Sequence, residues 1–139
     1  MRVFIAGVMQ GSRTDDSVTD QGYREQITRI LHENLRGVEV IDPWALHPES
    51  EGYDIERARD TFMSMNVLAG QADVLVAYVP EASMGTAVEI WEAYRNGAKV
   101  FCITPMAGNW VVKLLSSQVF PTLEAFEAFV RNGGLASAS

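Results

Sequence analysis

Residues 73–89 read Asp73-Val-Leu-Val-Ala-Tyr-Val-Pro80-Glu-Ala-Ser83-Met-Gly85-Thr86-Ala-Val-Glu89. The run Val74–Val79 is uncharged, short and rich in β-branched and aromatic residues, which predicts a strand rather than a helix. A near-continuous apolar run of this kind suits a strand covered on both faces. Pro80 closes it, and Ser83 fits the N-cap of a following helix. That helix is predicted over Thr86–Arg95, with Asn96-Gly97 as its stop signal. Its stripe Ala87, Val88, Trp91 and Tyr94 leads to the expectation that Val88 and Trp91 face the sheet.

Further apolar runs, with helically spaced segments between them, lie on either side, and no internal repeat is seen. Val3–Ala6 and Val100–Ile103 read as further strands, and Val38–Ile41 as a weaker one interrupted by Glu39. Gln21–Leu35 carries Tyr23, Ile27, Ile30, Leu31 and Leu35 at helical spacing. Ile55–Ala69 does so with Ile55, Ala58, Phe62, Met65 and Leu68 or Ala69. Shorter helices are predicted over Asn109–Ser116 and Leu123–Val130, the latter capped by Thr122. Strands alternating with helices predict an α/β fold with one doubly wound parallel sheet, Rossmann-like or flavodoxin-like. A single domain is expected over 1–131, with 132–139 a frayed tail of small and polar residues. In such a sheet ligands bind beyond the carboxyl ends of the strands. Those ends are 7–13, 42–48, 80–85 and 105–109.

The formal net charge is −7 over 139 residues. That excludes the basic footprint needed to grip a nucleic-acid backbone, yet leaves room for a small nucleoside in a pocket. Cys102 is the only cysteine, so no internal disulfide and no zinc cluster is expected, and its apolar surroundings make it inert core. No apolar run reaches the ~20 residues of a membrane span. A soluble, cytoplasmic protein is the expectation, without membrane partners. The spacing of Ser83, Gly85 and Glu89 points to a ligand site. Free N–H groups at a helix start attract anions or hydroxyls, glycine permits close approach, and Glu89 lies within the first two turns. A plain helix cap with a solvated carboxylate fits the same spacing equally well.

Asp73 to Glu89, followed by Ala93-Tyr94 and Gly97-Ala98-Lys99-Val100, resembles the signature of the nucleoside 2-deoxyribosyltransferase superfamily. That superfamily includes the 2-deoxynucleoside 5-phosphate N-hydrolases. Phe4-Ile-Ala-Gly7-Val-Met-Gln-Gly11 is similar to its first strand and loop. The resemblance implies that Glu89 attacks the anomeric carbon of a nucleoside or nucleotide, releasing the base and leaving a glycosyl ester. A second nucleobase or water then resolves it. A nearby carboxylate suits an oxocarbenium-like transition state. No metal or organic cofactor is expected. Ser83 and Gly85 would hold the 5 position of the sugar, and the backbone at Gly7, Met9 and Gly11 would approach the ligand.

The family's base-side aspartate has no counterpart in Met63-Ser-Met65-Asn66-Val67. Asp60 is the nearest acid and Asn66 the nearest hydrogen-bonding group, so both are candidates. Asp60 reads more readily as a solvated helix carboxylate beside Arg57 and Arg59. Trp44 or Tyr53 is a candidate to stack on a base. His47 reads as a loop histidine, and with His32 it forms no metal constellation. Asn109 and Lys113 lie where the family reaches into a neighbouring subunit's site, which implies a homodimer or higher oligomer completed in trans. Trp110 and Phe120 are expected at an interface or in the core. Base exchange between nucleosides leads the readings. Hydrolysis of 5-monophosphates, favoured by Ser83 and Lys113, and a catalytically silent nucleotide-binding module follow. A phosphoribohydrolase with Pro-Gly-Gly ahead of its glutamate motif does not fit Pro80-Glu-Ala-Ser-Met.

Overall fold

The computed structural model describes residues 1–11, 13–15 and 17–136. Five parallel strands lie in the order β2-β1-β3-β4-β5. They are β1 (Arg2–Gly7), β2 (Glu39–Ile41), β3 (Val74–Tyr78), β4 (Lys99–Ile103) and β5 (Gln118–Phe120). The helices are α1 (Gly22–Asn34), α2 (Pro43–Leu46), α3 (Ile55–Gly70), α4 (Met84–Arg95), α5 (Trp110–Leu115) and α6 (Leu123–Arg131). This is the doubly wound α/β architecture in its flavodoxin-like order, whose switch point falls between β1 and β3.

Alternation along each strand divides the core in two. Val3, Ile5, Val74, Val76, Phe101 and Ile103 pack with Ile27, Ile30 and Leu31 of α1 and with Phe126 and Val130 of α6. Phe4, Ala6, Leu75, Ala77, Val100 and Cys102 pack with Ala69 of α3, Ile90 and Ala93 of α4 and Val112 of α5. Cys102 is fully buried, and burial pushes its thiol up from the ordinary value. Ser83 and Thr122 cap α4 and α6 as read from the sequence: their hydroxyls accept from the N–H groups of Thr86 and Ala125. Gly97 ends α4 with φ +92, the left-handed turn that glycine adopts freely. No helix among the described residues is long and apolar enough to cross a membrane.

Several expectations are corrected. Strand β5 was hidden because Gln118-Val-Phe120 is three residues long. Val88 and Trp91 do not face the sheet; they are 40% and 51% exposed. Helix α4 instead buries Thr86, Ile90 and Ala93, whose mostly small side chains let it sit close to the strands. Trp91 and Tyr94 stack on each other outside, with centroids 6.4 Å apart. On α3 only the carboxyl-terminal part of the apolar stripe enters the core, through Met65, Leu68 and Ala69. Ile55 and Phe62 stay exposed. The chain beyond Arg131 does not leave the body at once, because Leu135 is fully buried against the α1–α6 core. Small and polar neighbours masked that anchor; Ser137, Ala138 and Ser139 lie outside the described residues. Phe120 is core, 4% exposed, whereas Trp110 is 77% exposed.

Candidate active site

Gly7 at the end of β1 pairs with Tyr78 at the end of β3. Beyond this pair the two chains diverge, one into the loop before α1 and the other into the turn before α4. The crevice they leave is a cavity of about 530 Å³, within the usual range for a small-molecule site. One wall is the β1 loop, with Gly7, Met9, Gln10 and Gly11. The start of α4 supplies Ser83, Met84, Gly85, Thr86 and Glu89. Helix α3 supplies Ala58, Thr61, Phe62, Met65 and Asn66, and the segment after β2 supplies Pro43, His47, Ser50, Glu51 and Tyr53.

The β1 loop is pinned from behind. Thr19 Oγ1, Gln21 Nε2 and Tyr23 Oη all donate to the Val8 carbonyl, at 3.1, 3.2 and 3.2 Å. Tyr23 stacks on Tyr78 with centroids 4.5 Å apart, and burial pushes its phenol above its ordinary range. Gly7 therefore has a structural duty as well as an open face: an added Cβ would collide with the Tyr23 ring. Gly11 has φ +59 and carries the Glu81 carboxylate packed over its Cα. Gly85 differs, since a Cβ there would meet nothing within 4 Å. The space beside it belongs to the cavity.

Glu89 lies on the second turn of α4, one residue from the buried Ile90, and lines the cavity. Burial pushes its carboxyl up to about 8; the positive charge of Arg24 opposes this and the negative charge of Asp42 adds to it. Ser83 Oγ accepts from Thr86 N (3.3 Å) and from Thr86 Oγ1 (2.9 Å). Its own proton is left to donate to a ligand oxygen. Asn66 is 8% exposed; its Nδ2 donates to the Phe62 carbonyl at 2.8 Å. His47 Nδ1 lies 2.9 Å from Tyr53 Oη, and the Arg57 guanidinium sits 3.9 Å over the Tyr53 ring.

Of the residues singled out in the sequence, Gly7, Met9, Gly11, Asn66, Ser83, Gly85 and Glu89 converge on this cavity. Asp60 does not: it is exposed, and Ala58, Thr61 and Phe62 take the cavity side of α3. Trp44 is half-buried off the lining, with its N–H held by Asp42 Oδ1 at 3.1 Å; Tyr53 is the loop aromatic that reaches the cavity. Asn109 caps α5 and lines an adjoining apolar groove between α4 and α5. Lys113 is exposed on α5. Arg24, Asp42 and Gln21 were missed. Arg24 and Gln21 sit on a polar stretch that reads as solvated, and only the pairing of Arg24 with Asp42, 18 residues away, reveals the cluster. Among the described residues, no group of three or more acids, histidines or cysteines converges to hold a metal.

Fold and site together define a doubly wound α/β protein with one shifted carboxylate at the sheet's switch point. A 2-deoxyribosyltransferase from the psychrotolerant bacterium Bacillus psychrosaccharolyticus shares this fold, with TM-score 0.72 and 17% identity over 99% of this chain and 96% of that one. A conserved protein from Enterococcus faecalis shares it with TM-score 0.64 and 14% identity, over 95% of this chain and 98% of that one. A CMP N-glycosidase from Clostridium botulinum aligns at TM-score 0.48 and 16% identity, over 92% and 96% of the two chains. No family model and no curated protein matches the chain.

Proposed function

We propose that this protein cleaves the N-glycosidic bond of a 2-deoxynucleoside and passes the sugar to a second nucleobase. The observation that carries the reading is the position of Glu89. It is a carboxylate lining a nucleoside-sized cavity at the strand ends, one helical turn beyond the Ser83–Gly85 helix start. In the first step a Glu89 oxygen bonds to the anomeric carbon. The carbon–nitrogen bond breaks, and the base departs with the electron pair and takes a proton from water. In the second step a ring nitrogen of the incoming base attacks the same carbon and gives up its proton to water, while the ester bond to that carbon breaks and returns Glu89 as a carboxylate. Each displacement is easier than direct exchange. The shared fold with a 2-deoxyribosyltransferase supports the reading.

The alternative acceptor is water, with a 5-monophosphate as substrate. The Ser83 hydroxyl favours it as a donor to phosphate oxygen. The cavity opposes it: among the described residues its lining includes Glu51 and Glu89 and no lysine or arginine. A phosphate would add further negative charge there without a partner. We therefore favour the uncharged nucleoside. Self-association belongs to the same proposal. Trp91, Tyr94, Trp110 and Leu114 are 51%, 46%, 77% and 60% exposed on α4 and α5, and such apolar surface marks an interaction face. A second copy there would bring Asn109 and Lys113 toward its neighbour's site.

Incubation with deoxyadenosine plus free cytosine, followed by chromatography, tests the proposal. Appearance of deoxycytidine supports exchange. Base released from deoxyadenosine 5-monophosphate without exchange supports the hydrolase. Neither product, with nucleosides still raising the melting temperature by mass action, leaves a binding module without catalysis.

A further inference from the structure

Behind the cavity floor lies a buried polar cluster that makes no contact with the proposed reaction. Arg24, the third residue of α1, is 2% exposed. Its Nε donates to Gln21 Oε1 at 2.7 Å. Its Nη1 donates to Asp42 Oδ1 at 2.9 Å and to the Ile5 carbonyl at 3.2 Å. Its Nη2 reaches the Gly7 carbonyl at 3.4 Å, and its Cζ lies 5.1 Å from the Tyr23 ring centroid. The guanidinium thus clamps the end of the β1 backbone to the segment after β2. Those are two of the walls around Glu89. A buried ion pair is poor evidence for stability, since desolvation offsets most of its attraction. One arginine committed to two strand-end carbonyls and to the Asp42 carboxylate, with Gly7 itself lining the cavity beside Glu89, points instead to the site.

We propose that Arg24 is a positioning residue for Glu89. It locks Gly7 and Asp42 into one frame behind that carboxylate and supplies the positive field that lets it work as an anion in an apolar cavity. The inference rests on Glu89 being the working carboxylate. The charge arithmetic is unusual because Asp42 spends part of the arginine's field. Arg24 is paired with Asp42, and the two charges act on Glu89 with opposite sign. The remaining titratable groups around the site are Tyr23 on α1, Glu81 over Gly11, and His47, Glu51 and Tyr53 across the cavity. None of them is part of the Arg24 frame except Tyr23, which packs beneath it.

The test is a carbon-13 NMR titration of the glutamate side-chain carboxyls in the ligand-free protein, with Glu89 assigned by its loss in Glu89→Gln. Arg24→Met is expected to raise the Glu89 midpoint, and Asp42→Asn to lower it, each by about half a pH unit or more. Arg24→Lys keeps the charge but loses the fork, and is expected to move the midpoint in the same direction as Arg24→Met and by less. A purely structural role would not yield shifts of opposite sign. Unmoved midpoints, or both variants moving the same way, overturn the proposal. Where Arg24→Met fails to fold, Asp42→Asn decides, and an unmoved midpoint there overturns it too. The titration needs no turnover, so it reads Arg24 even if nucleosides are not cleaved. If they are cleaved, the inflection of kcat/KM with pH is expected to move with the NMR midpoint.

Discussion

Gly7 and Tyr23 are in direct contact: the tyrosine ring lies where a Cβ on residue 7 would be. The glycine is required by the protein before any ligand arrives. Gly7→Ala is expected to destabilise the fold by about 1–3 kcal/mol, the range for overpacking a filled site. It would also displace Tyr23 from the Val8 carbonyl. A shift in denaturation midpoint together with changed tyrosine fluorescence checks this.

Gly85 gives the opposite expectation. It faces open cavity and lies within α4. Gly85→Ala should leave stability unchanged or raise it by up to about 1 kcal/mol, because alanine favours the helix. The added methyl enters ligand space, so KM for a nucleoside should rise by about fivefold or more. Steady-state kinetics beside a thermal melt separates the two effects.

A nucleophilic Glu89 must be ionised, and its carboxyl is pushed up to about 8 in the free protein. Below that pH most molecules carry the neutral acid. The value of kcat/KM should therefore rise with pH and level off above about 8, since this quantity reports the free enzyme. A profile flat between pH 6 and 9 would argue against ionisation of Glu89 as a controlling event.

The same shift has a stability consequence. At low pH, where both folded and unfolded states hold the proton, Glu89 costs nothing. From its ordinary value of 4.5 up to about 8 the unfolded chain releases the proton first. Stability then falls as pH rises, by at most about 1.4 kcal/mol per unit. Glu89→Gln removes this penalty. It should melt with the parent near pH 4 and above it near pH 9, in parallel scans at both values.

The exposed tryptophan of α5 offers a separate check on assembly. If α4 and α5 form the contact between copies, Trp110→Glu should shift sedimentation toward monomer and lower nucleoside turnover without lowering the melting temperature of the monomer. A parent protein that sediments as a monomer at micromolar concentration would remove this part of the proposal.

The sheet was legible because its central strands are dense apolar runs; Val74–Val79 alone implied a doubly covered sheet. Strand β5 was not, since three residues with Gln118 at their start carry no periodic signal. The wrong face was assigned to α4 because Val88 and Trp91 outweigh Thr86 and Ala93 in hydrophobicity, while close packing on a sheet selects the small ones. Ser83, Gly85 and Glu89 could be read from local spacing because one turn and one helix place all three. Arg24 and Asp42 are 18 residues apart in sequence, and neither is recognisable until the end of β1 lies between their elements. The departure at Met63–Val67 was visible, but whether Asp60 could replace the missing acid depended on helix phase, and the structure turns it away.

Turnover of deoxynucleosides by Glu89→Gln, compared with the parent under conditions where circular dichroism shows both folded, tests the central claim most directly. The proposed mechanism predicts a loss of at least about a thousandfold in kcat, as for removal of a covalent nucleophile. A folded Glu89→Gln protein that keeps cleaving or exchanging bases within about tenfold of the parent would contradict it.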